Sequence, residues 1–108
     1  MNLNEYQDKA KETAKYPTEM GITYTTLGLT GEAGEVADKV KKIIRDNGGV
    51  LTQEKKLEIA KEVGDVLWYV AMLSAELGYT LNEIAWMNYN KLHSRAERGK
   101  IGGSGDNR

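Results

Sequence analysis

Two short runs of acids are the residues of this sequence best placed to do chemistry. They are Glu32-Ala33-Gly34-Glu35 and Glu62-Val63-Gly64-Asp65, each of the form acid-x-Gly-acid. On a helix, positions i and i+3 share a face, so each run sets two carboxylates side by side. A chain folded back at Asp46-Asn47-Gly48-Gly49 places residues equidistant from that turn opposite one another. Glu35 then faces Glu62, and Glu32 faces Asp65. All four acids come to one level, roughly 15–20 Å up a helical hairpin at 1.5 Å per residue. Carboxylates crowded together on an apolar helix must protonate or find a cation. All-oxygen ligation suits Mg²⁺, with Mn²⁺ able to substitute, and both ions share their coordination with phosphates. Gly34 and Gly64 fit that reading, because a missing Cβ lets a helix or ligand come close. The competing reading makes the acids a solvated surface, paired with lysines such as Lys39 or Lys61.

Composition removes the other chemistries. There is no cysteine, so no thiol nucleophile, disulfide or Cys-ligated metal is available. The single histidine, His93, excludes a three-His zinc site within one chain. It also lacks the Glu-x-x-His partner of a ferritin-like di-iron site, because Asn90 stands three residues before it. His93 reads as a surface or interface residue. The net charge of −1 argues against bulk nucleic-acid binding. No run of apolar residues is long enough to span a membrane. The polar, acidic start Met1-Asn2-Leu3-Asn4-Glu5 is unlike a signal peptide, and with the lack of cysteine it points to a cytoplasmic protein.

Four helices must position these residues. The first is expected from about Leu3 to Ala14, ending before Tyr16-Pro17 because the residue preceding proline leaves the α region. The second follows Thr18–Gly21 and stops near Arg45 at the Asn-Gly-Gly turn. Thr52 caps the third, which runs to Glu76 or Leu77 before Gly78. Thr80-Leu81-Asn82-Glu83 is a capping box for the fourth, reaching about Arg98. One all-α domain over residues 1–108 is expected, an antiparallel bundle of about four helices. Its third helix is apolar on every side from Val63 to Leu73, which predicts burial in its own core or in an interface with a second copy. A homodimer or a dimer of dimers follows. The tryptophans and six tyrosines read mainly as core, with Trp68, three residues after Asp65, nearest the acids. Residues 99–108 are a Gly-rich tail, substrate-covering or disordered.

The charge is unevenly spread. Residues 84–108 hold five bases and two acids, whereas residues 1–83 hold ten bases and fourteen acids. In the fourth helix Asn88, Lys91, Arg95 and Arg98 form a stripe beside an apolar face of Leu81, Ala85, Tyr89, Leu92 and Ala96. Cations near a helix C-terminus are favoured by its dipole. Next to a carboxylate-held metal the same stripe fits phosphate binding.

The sequence also resembles a known family, the MazG-like all-α nucleoside triphosphate pyrophosphohydrolases. This family includes dimeric dUTPases, dCTP pyrophosphatases and phosphoribosyl-ATP pyrophosphatase. Asn4-Glu5-Tyr6-Gln7, Thr13-Ala14-Lys15-Tyr16-Pro17 and Leu27 through Val36 are similar to its small bacterial and phage members. The pair Glu32-x-x-Glu35 and Glu62-x-x-Asp65 matches its metal signature, including the gap between the two halves. The resemblance implies Mg²⁺ on Glu32, Glu35, Glu62 and Asp65, and hydrolysis of a nucleoside triphosphate to the monophosphate and pyrophosphate. Glu35 is then the candidate to orient or deprotonate the attacking water. Asn88, Lys91 and Arg95 fall where substrate is contacted. Trp68 and Arg98 join them as candidate substrate contacts, as do Asp106 and Arg108 in a tail like the substrate-covering end of the short members. House-cleaning of non-canonical nucleotides and adjustment of nucleotide pools are both compatible roles. The different-class alternative is a non-catalytic helical interaction module, in which the third helix meets a partner and the acids are solvated.

Overall fold

The computed structural model describes residues 1–99 together with Gly102, Gly103 and Gly105. Four α-helices occur among them, α1 (Leu3–Ala10), α2 (Gly21–Asn47), α3 (Gln53–Glu76) and α4 (Leu81–Glu97), with no strand. Each boundary has a local cause. The Asn2 side chain caps α1 at the Glu5 N–H, and Thr52 caps α3 at the Lys55 N–H. Thr80 and Glu83 complete the expected capping box of α4. Helix α2 ends where Gly48 and Gly49 adopt φ of 60° and 76°, a left-handed stop open to glycine at little cost. The first helix is shorter than expected. After Ala10 it tightens into a 3₁₀ turn, Lys11–Thr13, closed by the Thr13 hydroxyl on the Ala10 carbonyl. Ala14 is already extended. A second 3₁₀ turn, Thr18–Met20, leads into α2.

Helices α2 and α3 form the predicted hairpin, by far the most extensive helix–helix contact. Helix α4 packs on α1 and α3, but it does not lie alongside the hairpin as a simple bundle requires. The molecule measures 42 × 40 × 27 Å. Helix α2 alone accounts for one long dimension, about 40 Å. The radius of gyration is 16.8 Å, against about 13 Å for a compact chain of this length.

The core is correspondingly small and sits at one end. Ala10, Ala71, Met72 and Leu81 form it, with Tyr6, Ala14, Trp68 and Val70 packed around them. The expectation of an α3 buried throughout its apolar run is therefore met only toward its C-terminus. Val63 is 51 % exposed and Leu67 lies on the surface, because α1 and α4 cover only the far end. Helix α4 is also turned from its expected orientation. Leu81 and Arg95 face inward, while Ala85, Tyr89, Leu92 and Ala96 remain exposed. No helix among the described residues is long and apolar enough to cross a membrane.

One polar side chain ties the closed end together. Gln7 is 3 % exposed. Its amide nitrogen donates to the carbonyls of Ala71 (3.0 Å) and Tyr79 (3.1 Å), and its oxygen accepts from the Leu81 N–H (3.1 Å). It thus fixes α1 to α3, to the turn and to the first residue of α4. Gln7→Leu strands those backbone groups and is expected to destabilise the fold by about 2–4 kcal/mol, read as a lower urea midpoint. An unchanged midpoint contradicts this role.

Candidate metal and nucleotide site

Halfway along the hairpin, α2 and α3 bring three carboxylates together. One oxygen from each of Glu32, Glu62 and Asp65 lies within 4.8 Å of the others. Glu32 and Glu62 are half-buried and Asp65 is exposed. Among the described residues none of the three forms an ion pair, so the reading that Lys39 or Lys61 neutralises them does not hold. Lys41 and Lys42 bond to Asp38 instead, and Lys55 to Glu58. Burial, then the charges of Asp65, Glu62 and Glu35, raise Glu32 above the ordinary carboxylate range. An oxygen-only, uncompensated donor set of this kind fits a hard divalent cation.

Glu35 stands apart from this group. It follows Glu32 by three residues, about 60° round the helix, and it is exposed while Glu32 is half-buried. Its charge still reaches Glu32. Gly34 and Gly64 do not serve helix packing within the chain, since nothing lies within 4 Å of where their Cβ would stand. The glycines that permit close approach are others. At Gly28 a Cβ would strike the ring of Tyr69, and at Gly21 it would strike the Glu76 carboxylate. Gly28 therefore lets the Tyr69 ring pack directly against α2, beside the acids.

A cleft of about 400 Å³ opens next to the carboxylates. Glu32, Asp65, Trp68, Tyr69, Tyr24 and the stretch containing Thr13, Lys15 and Tyr16 line it. The aromatic rings run as a chain. Tyr16 stacks on Tyr24 at 5.0 Å, Tyr24 tilts against Tyr69 at 6.4 Å, and Trp68 meets Tyr69 edge-on at 4.9 Å. Burial raises the Tyr69 phenol above its ordinary value, followed by hydrogen bonding with Tyr24 and by the charges of Tyr24, Glu32 and Asp65. The tyrosines were expected mainly in the core. None is buried, and three line this cleft. Tyr24 precedes Glu32 by eight residues and Tyr69 follows Asp65 by four, so helical spacing from the acids was the signal that could have found them.

The other expected site residues divide. Trp68 lines the cleft. Asn88, Lys91, Arg95 and Arg98 do not. Arg95 is buried and donates to the Gly105 carbonyl (3.3 Å), so it binds the tail at Gly105. Lys91 is half-buried, and Arg98 bonds back to the Ser94 hydroxyl (3.1 Å). His93 is exposed, stacks on Tyr89 and pairs with Glu97. Asp106 and Arg108 lie outside the described residues.

Comparison with known families is decisive for the chain's ancestry. Residues 21–99 match the model of the MazG nucleotide pyrophosphohydrolase domain. The chain belongs to the MazG family. The matched region contains all four acids and both helices of the hairpin, and it leaves out the first 20 residues. The chain is also similar to the Gene 37 protein of Mycobacterium phage L5, 50 % identical over the full length of both. No solved structure matches it.

The raised Glu32 gives a test of the cluster itself. A carboxyl whose folded pKa exceeds its unfolded value contributes stability at low pH and loses it as pH rises through the folded pKa. In EDTA at pH 7, Glu32→Gln is expected to melt above the wild type, with the gap closing as pH falls below Glu32's pKa. A variant melting below the wild type at pH 7 contradicts mutual repulsion among the acids.

Proposed function

We propose that the protein is a Mg²⁺-dependent nucleoside triphosphate pyrophosphohydrolase, converting a (d)NTP to the (d)NMP and pyrophosphate. The carrying observation is the convergence of Glu32, Glu62 and Asp65, with no ion-paired base among the described residues, in a chain of the MazG family. These three acids would hold the cation, and Mn²⁺ would serve in its place. A divalent cation bound there supplies positive charge to phosphate oxygens and acidifies water.

Glu35 is exposed and outside the three-oxygen group, yet close enough for its charge to act on Glu32. That position suits a base better than a ligand. Glu35 would orient the water that attacks the α-phosphorus and take its proton; the metal-ligand role that the family resemblance implies for it is the alternative that the Mn²⁺ affinity of Glu35→Gln tests. Trp68 and the tyrosines beside the acids exclude water from one side of the cleft. Asn88, Lys91 and Arg98 are retained as contacts to the β- and γ-phosphates on family resemblance, as are Asp106 and Arg108. Arg95 would act by holding the tail. Removal of non-canonical nucleotides and adjustment of nucleotide pools both place this work in the cytoplasm.

The apolar surface supports an obligate partner copy. Leu27 (68 % exposed), Ile44 and Leu57 on the hairpin join Val63 and Leu67 of α3, and Trp86 and Tyr89 of α4, on the surface of one chain. A homodimer or dimer of dimers would cover these exposed apolar side chains.

Purified protein incubated with Mg²⁺ and a panel of nucleoside triphosphates is expected to release pyrophosphate and monophosphate. Release of orthophosphate and the diphosphate contradicts the mechanism. Glu35→Gln is expected to lower kcat at least about 100-fold while keeping its affinity for Mn²⁺. Asp65→Asn is expected to lose both. Metal affinity lost equally in both variants makes Glu35 a ligand rather than the base. Light scattering at micromolar concentration is expected to give a dimer or tetramer, and a monomer there removes the partner copy.

A further inference from the structure

The cleft has a wall that the family match leaves out. Residues 13–16 precede the matched region, yet Thr13, Lys15 and Tyr16 all line the cleft beside Glu32 and Asp65. This short strap is pinned at both ends to α3. The Trp68 indole N–H donates to the Thr13 hydroxyl at 2.8 Å. The Tyr16 hydroxyl donates to Glu76 Oε1 at 2.7 Å. Burial and the Glu76 carboxylate push the Tyr16 phenol up to about 12, so its proton stays in that bond at neutral pH. Between the pins sits Lys15.

Among the described residues lining the cleft, Lys15 is the only cation. It is exposed, and it forms no ion pair with Glu32 or Asp65 although all three border the same space. An ammonium group held at the edge of a cleft beside a cation-binding acid cluster has the charge and reach for a phosphate oxygen. The neighbouring Tyr16–Tyr24 pair, with rings 5.0 Å apart and 19° from parallel, offers a flat aromatic face. Base stacking on such faces tolerates any base, because every base has a π-face. The strap also lacks hydroxyl protons with which to read a base edge. Thr13 gives its proton to the Ala10 carbonyl and Tyr16 gives its proton to Glu76.

Resting on the nucleotide reading above, we propose that the strap Thr13–Tyr16 is the substrate-reading wall of the cleft. Lys15 binds the phosphate of the nucleotide, and the Tyr16–Tyr24 pair stacks its base. The enzyme then selects by phosphate and by ring area, with little discrimination at the base edge.

The test is calorimetric binding of the α,β-methylene analogue of dATP in Mg²⁺, at two salt concentrations, with a pyrophosphate-release assay on dATP run in parallel. Lys15→Met is expected to weaken binding at least about tenfold and to flatten the salt dependence. Tyr24→Leu is expected to weaken it by about tenfold with the wild-type salt dependence kept, a split that general loss of structure does not produce. If the wild type releases pyrophosphate while Lys15→Met matches its affinity and salt dependence, the strap is not the wall and the nucleotide reading stands. The strap assignment is likewise overturned if Tyr24→Leu binds as the wild type does. If the wild type neither binds the analogue nor releases pyrophosphate, the nucleotide reading falls and this assignment falls with it.

Discussion

Mutual repulsion among Glu32, Glu62 and Asp65 is the constraint around which the rest of the chain is arranged. Three carboxylate oxygens within 4.8 Å of one another, two of them on half-buried side chains, oppose folding in the absence of a cation. The α2–α3 hairpin brings them together nonetheless, so other contacts must hold the two helices in register. Tyr69 lies in the notch left by Gly28. Glu76 sits against the start of α2 at Gly21, where the helix dipole favours a negative charge. Tyr16 then binds that same carboxylate. The contacts that offset the repulsion are thus the contacts that build the aromatic side of the cleft.

The chain divides into a closed end and an open end. At the closed end Gln7, Ala10, Met72 and Leu81 lock α1, α3 and α4 together. Toward the open end the hairpin carries apolar side chains that nothing in the single chain covers. The acids lie between the two, close enough to the closed end to be positioned and far enough along to remain accessible. This division explains why α3 is apolar on all sides although it is buried in only part of its length.

Much of this was legible in the sequence. Capping residues located three of the four helices to within a residue or two at most boundaries, and the Gly48-Gly49 stop predicted the hairpin. The acid-x-Gly-acid pairs pointed to the site because their distances from that turn are equal. What sequence could not resolve is which way each helix is turned. Glu35 shares its level with Glu62, yet it is exposed and stays outside the three-oxygen group. Helix α4 buries Arg95 and exposes Tyr89, the reverse of what its apolar face suggests, because no helix of the same chain covers that face. Gln7 and Lys15 carry no motif. Gln7 acts through backbone groups more than 60 residues away, and Lys15 matters only once the strap is seen beside the acids.

Carboxylates on α2 and α3 that direct water to the α-phosphorus of a nucleoside triphosphate would leave their mark in the products of hydrolysis in ¹⁸O-labelled water, read by mass spectrometry of both. One labelled oxygen in the nucleoside monophosphate and unlabelled pyrophosphate are expected. Label in the pyrophosphate, or in orthophosphate released with a diphosphate, would contradict attack at the α-phosphorus.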